Sequence, residues 1–126
     1  MLLAYCGSVN AQELTLVVDI TNFKNDLGTA NVSLQDSNKR NVKQANVAIE
    51  NNSAQATFTN LSDGKYAVKV FHDENNNEKL DRGLLGIPVE EWGASNNPKR
   101  GFGPPKFRSM LFELQESKEI LIRLKK

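Results

Sequence analysis

The chain has 126 residues, 39% of them hydrophobic and 25% charged, which is enough for one domain with a modest single core and argues against disorder. Sixteen basic against fifteen acidic residues leave a net charge of +1, so the concentrated basic excess of a nucleic-acid binder is missing. The only cysteine is Cys6, which excludes a disulfide framework and, with a single histidine, leaves too few ligands for a zinc site.

Residues 1–11 read as the tail of a secretory signal peptide. Val9 and Ala11 take the small-residue positions a signal peptidase requires, and Gln12 would become the mature N-terminus. The segment lacks a basic start and its apolar run is short; a start codon assigned too far downstream explains both. Tyr5 is too bulky before Cys6 for a lipoprotein site. Export to the periplasm or the outer cell surface is therefore expected, with residues 12–126 as a single domain. No apolar run approaches the roughly 20 residues of a transmembrane segment.

From Glu13 onward, period-two patterns dominate. Leu14, Leu16, Val18 and Ile20 alternate with Thr15, Val17, Asp19 and Thr21, which predicts a half-buried strand. Residues 22–28 read as a turn, and a second strand carries Val32 and Leu34 inward. Residues 36–41 are polar and predict a loop tip. Short strands at 47–49 and 54–58 are joined by the turn signal Asn51-Asn52. An Asp63-Gly64 turn then feeds a strand in which Tyr66, Val68 and Val70 share a face. Tyr66 stands where a tyrosine corner would tie its hydroxyl to the preceding loop, or it is a plain core tyrosine. Residues 73–105 break the alternation, a length that in a small domain points to function. Met110, Phe112 and Leu114, then Ile120, Ile122 and Leu124, predict two closing strands. Seven or eight strands without an amphipathic helix predict an all-β antiparallel sandwich, immunoglobulin-like or prealbumin-like, with one long loop. A monomer is expected.

Two groups of residues in the long loop suit ligands. In Asp73-Glu-Asn75-Asn-Asn77-Glu-Lys79-Leu-Asp81 the spacing places side-chain oxygens at loop positions one, three, five and nine. The Lys79 carbonyl can serve at position seven, an arrangement suited to one calcium ion. Glu78 stands where the usual turn has glycine, and Leu84 where it has a bidentate glutamate. Glu90 or Glu91 would have to fold back to supply that ligand, and the site would be weak. The alternative is a solvated turn, since Asn and Asp are good turn formers. Farther on, Trp92, Asn96, Asn97, Arg100 and Phe102 suit a platform for a carbohydrate or peptide, or else cover the open end of the sandwich. The partner expected is an envelope protein or a glycan. His72, the single histidine, shares the parity of Tyr66, Val68 and Val70 and points toward the interior. A hydrolase built on it would need a nearby carboxylate and a nucleophile that no spacing supplies, so a non-enzymatic module is expected.

The motifs His72-Asp-Glu-Asn-Asn-Asn77, Asp81, Leu85-Gly-Ile-Pro88-x-Glu90-x-x-Gly93-x-Ser95-Asn-Asn97 and Gly103-Pro-Pro-x-Phe107 resemble the uncharacterised bacterial family DUF2141. Leu61-x-x-Gly64-x-Tyr66-Ala-Val68 fits the same pattern, and the resemblance runs from about residue 13 to 125. In that family the loop usually carries glycine where this chain has Asn76, and another aromatic where it has Trp92. The resemblance implies a small exported protein of a Gram-negative-type envelope, and no activity. Similar Asp-x-Asn-x-Asn loops on prealbumin-like surface repeats bind calcium, which supports the ion by fold analogy alone.

Overall fold

The computed structural model describes residues 13–74, 91–98 and 106–125. Among them are eight strands and one 3-10 turn: β1 (Leu14–Thr21), β2 (Thr29–Asp36), β3 (Asn41–Ala48), β4 (Ala54–Leu61), β5 (Gly64–Asp73), β6 (Trp92–Ala94), the 3-10 turn Phe107–Met110, β7 (Phe112–Leu114) and β8 (Lys118–Arg123). They form a β-sandwich. One sheet has three strands in the order β4-β1-β8; the other runs β3-β2-β5, with β7 and then β6 following one another along the far edge of β5.

The alternation in the sequence explains the two inner faces. In β1 the apolar positions Leu14, Leu16, Val18 and Ile20 are buried and their neighbours are not. Ala30, Val32 and Leu34 of β2 and Tyr66, Val68 and Val70 of β5 face them from the other sheet, with Ile122 and Leu124 closing the core. Burial of these side chains is the main favourable term, about 1.5–3 kcal/mol for each large one.

Most pairings are antiparallel, but β1 and β8 run parallel, in register from Leu16 with Lys118 to Thr21 with Arg123. A parallel neighbour needs a long crossover, and here most of the chain lies between the two strands. No local pattern announces such a pairing.

Turn chemistry follows the residues. Asn51 and Asn52 both take positive φ, 53° and 62°, as the two centres of a tight hairpin turn do. Glu50 and Ser53 exchange backbone hydrogen bonds around them. Tyr66 makes the tyrosine corner: it is buried, and its hydroxyl donates to the carbonyl of Ser62 at 2.7 Å.

Three elements depart from the sequence reading. β6 lies inside the stretch 73–105 read as one long loop, because residues 92–94 pair with residues 69–71 of β5. β3 spans all of Asn41–Ala48, longer than expected, because an edge strand needs only half-buried residues on its inner side (Lys43, Ala45, Val47). Met110 belongs to the 3-10 turn rather than to a strand. It packs with Ala67 and Ala94 on the outer face of the five-stranded sheet, with Phe107 and Leu111 against them. The cause lies in side chains far along the chain: Ser95 donates its hydroxyl to the Met110 carbonyl, and the Asn96 amide donates to the carbonyls of Ser109 (3.1 Å) and Leu111 (2.8 Å).

The two sheets are joined along one side. Trp92 and Lys125 exchange backbone hydrogen bonds, both 2.8 Å. Beside them the Asn97 side chain acts like a strand residue, donating to the Leu121 carbonyl at 2.9 Å and accepting from the Arg123 N–H at 2.8 Å. Gly93 sits where the sheets come closest: a Cβ there would lie 2.7 Å from a methyl of buried Ile122 and 3.2 Å from the Arg123 carbonyl.

Candidate functional site

In the sequence, the segment 75–90 lies between the end of β5 and the start of β6. Its two ends are held together. The His72 N–H donates to the Glu91 carbonyl at 2.8 Å, one step beyond the pairing of Phe71 with Trp92. The strand pairing therefore continues to the foot of the segment.

The 22–28 connection wraps this foot. The Lys24 N–H donates to the Glu91 carboxylate at 2.8 Å, and the Lys24 ammonium pairs with Glu74 at 2.8 Å. The Asn25 amide donates to the second Glu74 oxygen at 3.1 Å. These hydrogen bonds, from Lys24 first and Asn25 second, hold the Glu74 carboxyl below its ordinary range. Carboxylates on both sides of the segment are thus tied to Lys24.

Connection and foot are in direct backbone contact at Gly28. Its φ is +70°, and a Cβ there would lie 2.0 Å from the Asp73 carbonyl. Only glycine fits both the conformation and the approach. On the other side, the Asp26 carboxylate accepts from the N–H groups of Asn51 (3.1 Å) and Asn52 (2.8 Å), which anchors the connection to the β3–β4 turn.

His72 lies at the centre and is fully buried. Its Nε2 is 2.6 Å from the Leu27 carbonyl and must donate, because a carbonyl only accepts. Its Nδ1 lies 3.4 Å from the Glu91 carboxylate, and Phe23 packs edge-on at 5.2 Å between centroids. With one nitrogen on a backbone carbonyl and the other facing a carboxylate, the ring works as a bolt between β5, β6 and the 22–28 connection. The sequence reading placed it toward the interior correctly, and missed that Phe23, Leu27 and Glu91 surround it. The polar run 22–28 signals only a turn, so that role was not visible.

Of the calcium ligands expected, Asp73 is described and is fully buried at the end of β5. Asn75, Asn77, Lys79, Asp81 and Glu90 lie outside the described residues. Among the described residues no three His, Cys, Asp or Glu side chains are grouped as a metal site. Of the platform residues, Arg100 and Phe102 also lie outside. Trp92 is half-buried on β6, Asn96 is exposed and Asn97 half-buried. The amides of Asn96 and Asn97 are engaged by the carbonyls of residues 109, 111 and 121 and the Arg123 N–H, so both serve the fold itself. Their backbones take positive φ, 67° and 44°, a conformation asparagine tolerates better than most residues.

No helix among the described residues is long and apolar enough to cross a membrane. A fimbrial assembly protein from Parabacteroides distasonis ATCC 8503 is similar in structure, with 11% identity and a TM-score of 0.41; the match covers 91% of this chain and 53% of that one. The chain thus spans about half the length of that protein. No curated protein is detectably similar in sequence. The family model for an uncharacterized protein conserved in bacteria (DUF2141) matches residues 18–121, most of the chain, and the chain belongs to that family.

Proposed function

We propose that the protein is an exported, non-enzymatic module whose sandwich presents the 75–90 segment from a fixed foot, with one calcium ion ordering its first part. Asp73, Asn75, Asn77 and Asp81 would supply side-chain oxygens, with the Lys79 carbonyl and Glu90 completing the shell. The observation that carries this reading is the foot: His72, Glu74 and Glu91 tie both ends of the segment to Lys24, Asn25 and Leu27. A fold that fixes the ends of a long polar segment this firmly restricts what lies between them. The complete burial of Asp73 at the threshold adds a carboxylate already removed from water. Burial of His72, with both nitrogens engaged, leaves it poorly placed as a general base and supports the non-enzymatic reading. The carbohydrate or peptide platform is the weaker reading, because Asn96 and Asn97 already spend their amides inside the fold. Export is supported by the cleavage pattern at Ala11–Gln12.

The test is a thermal melt of residues 12–126 in EDTA, then in millimolar calcium or magnesium. Calcium at about tenfold over its dissociation constant should add about 1.4 kcal/mol, a rise of several degrees for a domain this size. Asp81→Ala should abolish the rise while leaving the EDTA melt unchanged. No calcium-selective rise, or one that persists in Asp81→Ala, overturns the ligand assignment.

A further inference from the structure

On the outer face of the five-stranded sheet, away from the foot, two lysines share one aromatic ring. The Lys39 ammonium, from the β2–β3 turn, lies 5.5 Å from the centroid of Phe107, and the Lys69 ammonium, from β5, lies 5.8 Å from it. The two ammonium groups are therefore no more than about 11 Å apart, the sum of those distances. The ring is itself half-buried against Ala67, Ala94 and Met110. It cannot turn away without opening that small core.

Each contact alone is an ordinary cation–π pair. Two on one ring are different, because the second cation adds repulsion to the first. Burial first, and the Lys39 charge second, hold the Lys69 ammonium below the ordinary lysine range. A folded protein normally relieves such a pair with a carboxylate. Among the described residues none is within ion-pair distance of either lysine. The nearest acid in sequence, Asp36, is spent on its own turn, accepting from the N–H groups of Asn38 (2.8 Å) and Arg40 (3.0 Å). Arg40 beside Lys39, and Lys106 and Arg108 beside Phe107, add positive charge through chain adjacency. A chain whose net charge is only +1 thus gathers cations around one ring.

We infer that Lys39, Phe107 and Lys69 form a binding site for an oxyanion, a carboxylate or phosphate group, bridged between the two ammonium groups at the rim of the ring. The oxyanion supplies the counter-charge that the described residues omit, and the half-buried ring limits the separation of the two cations. The source is either a free solute or an acidic polysaccharide presenting repeated carboxylates.

The test uses the folded protein and amide chemical-shift titrations at constant ionic strength with inorganic phosphate, with an oligogalacturonate of four units, and with chloride as control. Saturable shifts at Lys39, Lys69 and Phe107 are expected with either oxyanion and not with chloride. An oligogalacturonate that binds at least tenfold tighter than phosphate identifies a polymer as the source; equal affinity identifies a solute. Lys39→Gln combined with Lys69→Gln should weaken binding at least tenfold. Lys65→Gln, an exposed lysine on the same strand, should leave it unchanged, and Lys69→Arg should retain it. Shifts that fail to saturate, spread over unrelated lysines, or survive in the double variant overturn the site.

Discussion

Single residues carry the contacts that hold the foot in place, and glycine and asparagine matter there as much as the apolar core. Gly28 combines positive φ with a backbone approach that leaves no space for a methyl group. Gly28→Ala should cost roughly 2–4 kcal/mol, since strain and overlap with the Asp73 carbonyl add and neither backbone can retreat. A denaturant melt with an unchanged midpoint would refute that close approach. Tyr66→Phe removes one hydrogen bond but leaves an exposed Ser62, whose carbonyl water can reach, so the loss should stay near about 1 kcal/mol. Glu119 illustrates the opposite case. A hydrogen bond that protonated Glu119 donates to Asp19, and then the charge of that carboxylate, hold Glu119 above its ordinary pKa of 4.5 on the exposed face of the three-stranded sheet. A carboxyl raised in the folded state favours folding only while protonated, and that help is lost as pH rises through the folded value. At neutral pH the pair therefore repels. Glu119→Gln should raise the melting temperature slightly at neutral pH and low salt, and the gain should shrink in acid as Glu119 takes up its proton.

At the scale of elements, the side joined by β6 and β8 deserves mutational attention before the inner core. Asn97 satisfies both a carbonyl and an N–H of β8, and its backbone lies at φ 44°. Asn97→Ala should lose about 1–3 kcal/mol, because two strand groups go unpaired and alanine is strained there. It should also bare the edge of β8 next to exposed Leu121, so faster aggregation on warming is expected. Light scattering during the melt reads both effects. The legibility of these elements in the sequence divides along the same line. β1 and β5 could be read residue by residue, because one face of each is buried and period two is then obligatory. The Asn51-Asn52 turn and the tyrosine corner were equally visible, since each depends on residues a few positions apart. What stayed hidden depends on partners far along the chain: β8 parallel to β1, Met110 drawn onto the outer face by Ser95, and Asn96 and Asn97 serving as braces. Asparagines beside a tryptophan look like a ligand platform until the carbonyls they bind are known. The candidate site divides in the same way. The run beginning at Asp73 rests on its spacing alone, since residues 75–81 lie outside the described ones. The 22–28 connection that holds its foot could not be seen, because Lys24, Asn25 and Leu27 have no pattern apart from Glu74, Glu91 and His72.

For the whole molecule, the closed foot predicts that the sandwich folds without the 75–90 segment. The foot is closed by the pairing of Phe71 with Trp92 and of His72 with Glu91. Closing a loop between ends already in contact is cheap, and the cost changes slowly with length, by about 0.6 kcal/mol per doubling. Replacing residues 75–90 by about six Gly and Ser residues, long enough to bridge ends already paired, should therefore leave a cooperatively folded protein. In EDTA its melting temperature should fall within a few degrees of the parent. Glu74 and Glu91 remain in this variant, so the ties to Lys24 persist and the foot keeps its shape. The calcium response should vanish, since every expected ligand but Asp73 is gone. Amide shifts of Lys39, Lys69 and Phe107 on titration with oxyanion should be unaffected, because none of those three residues is replaced. Loss of cooperative unfolding in EDTA would mean instead that the segment is part of the folding unit, and the sandwich could no longer be regarded as an independent scaffold that presents it.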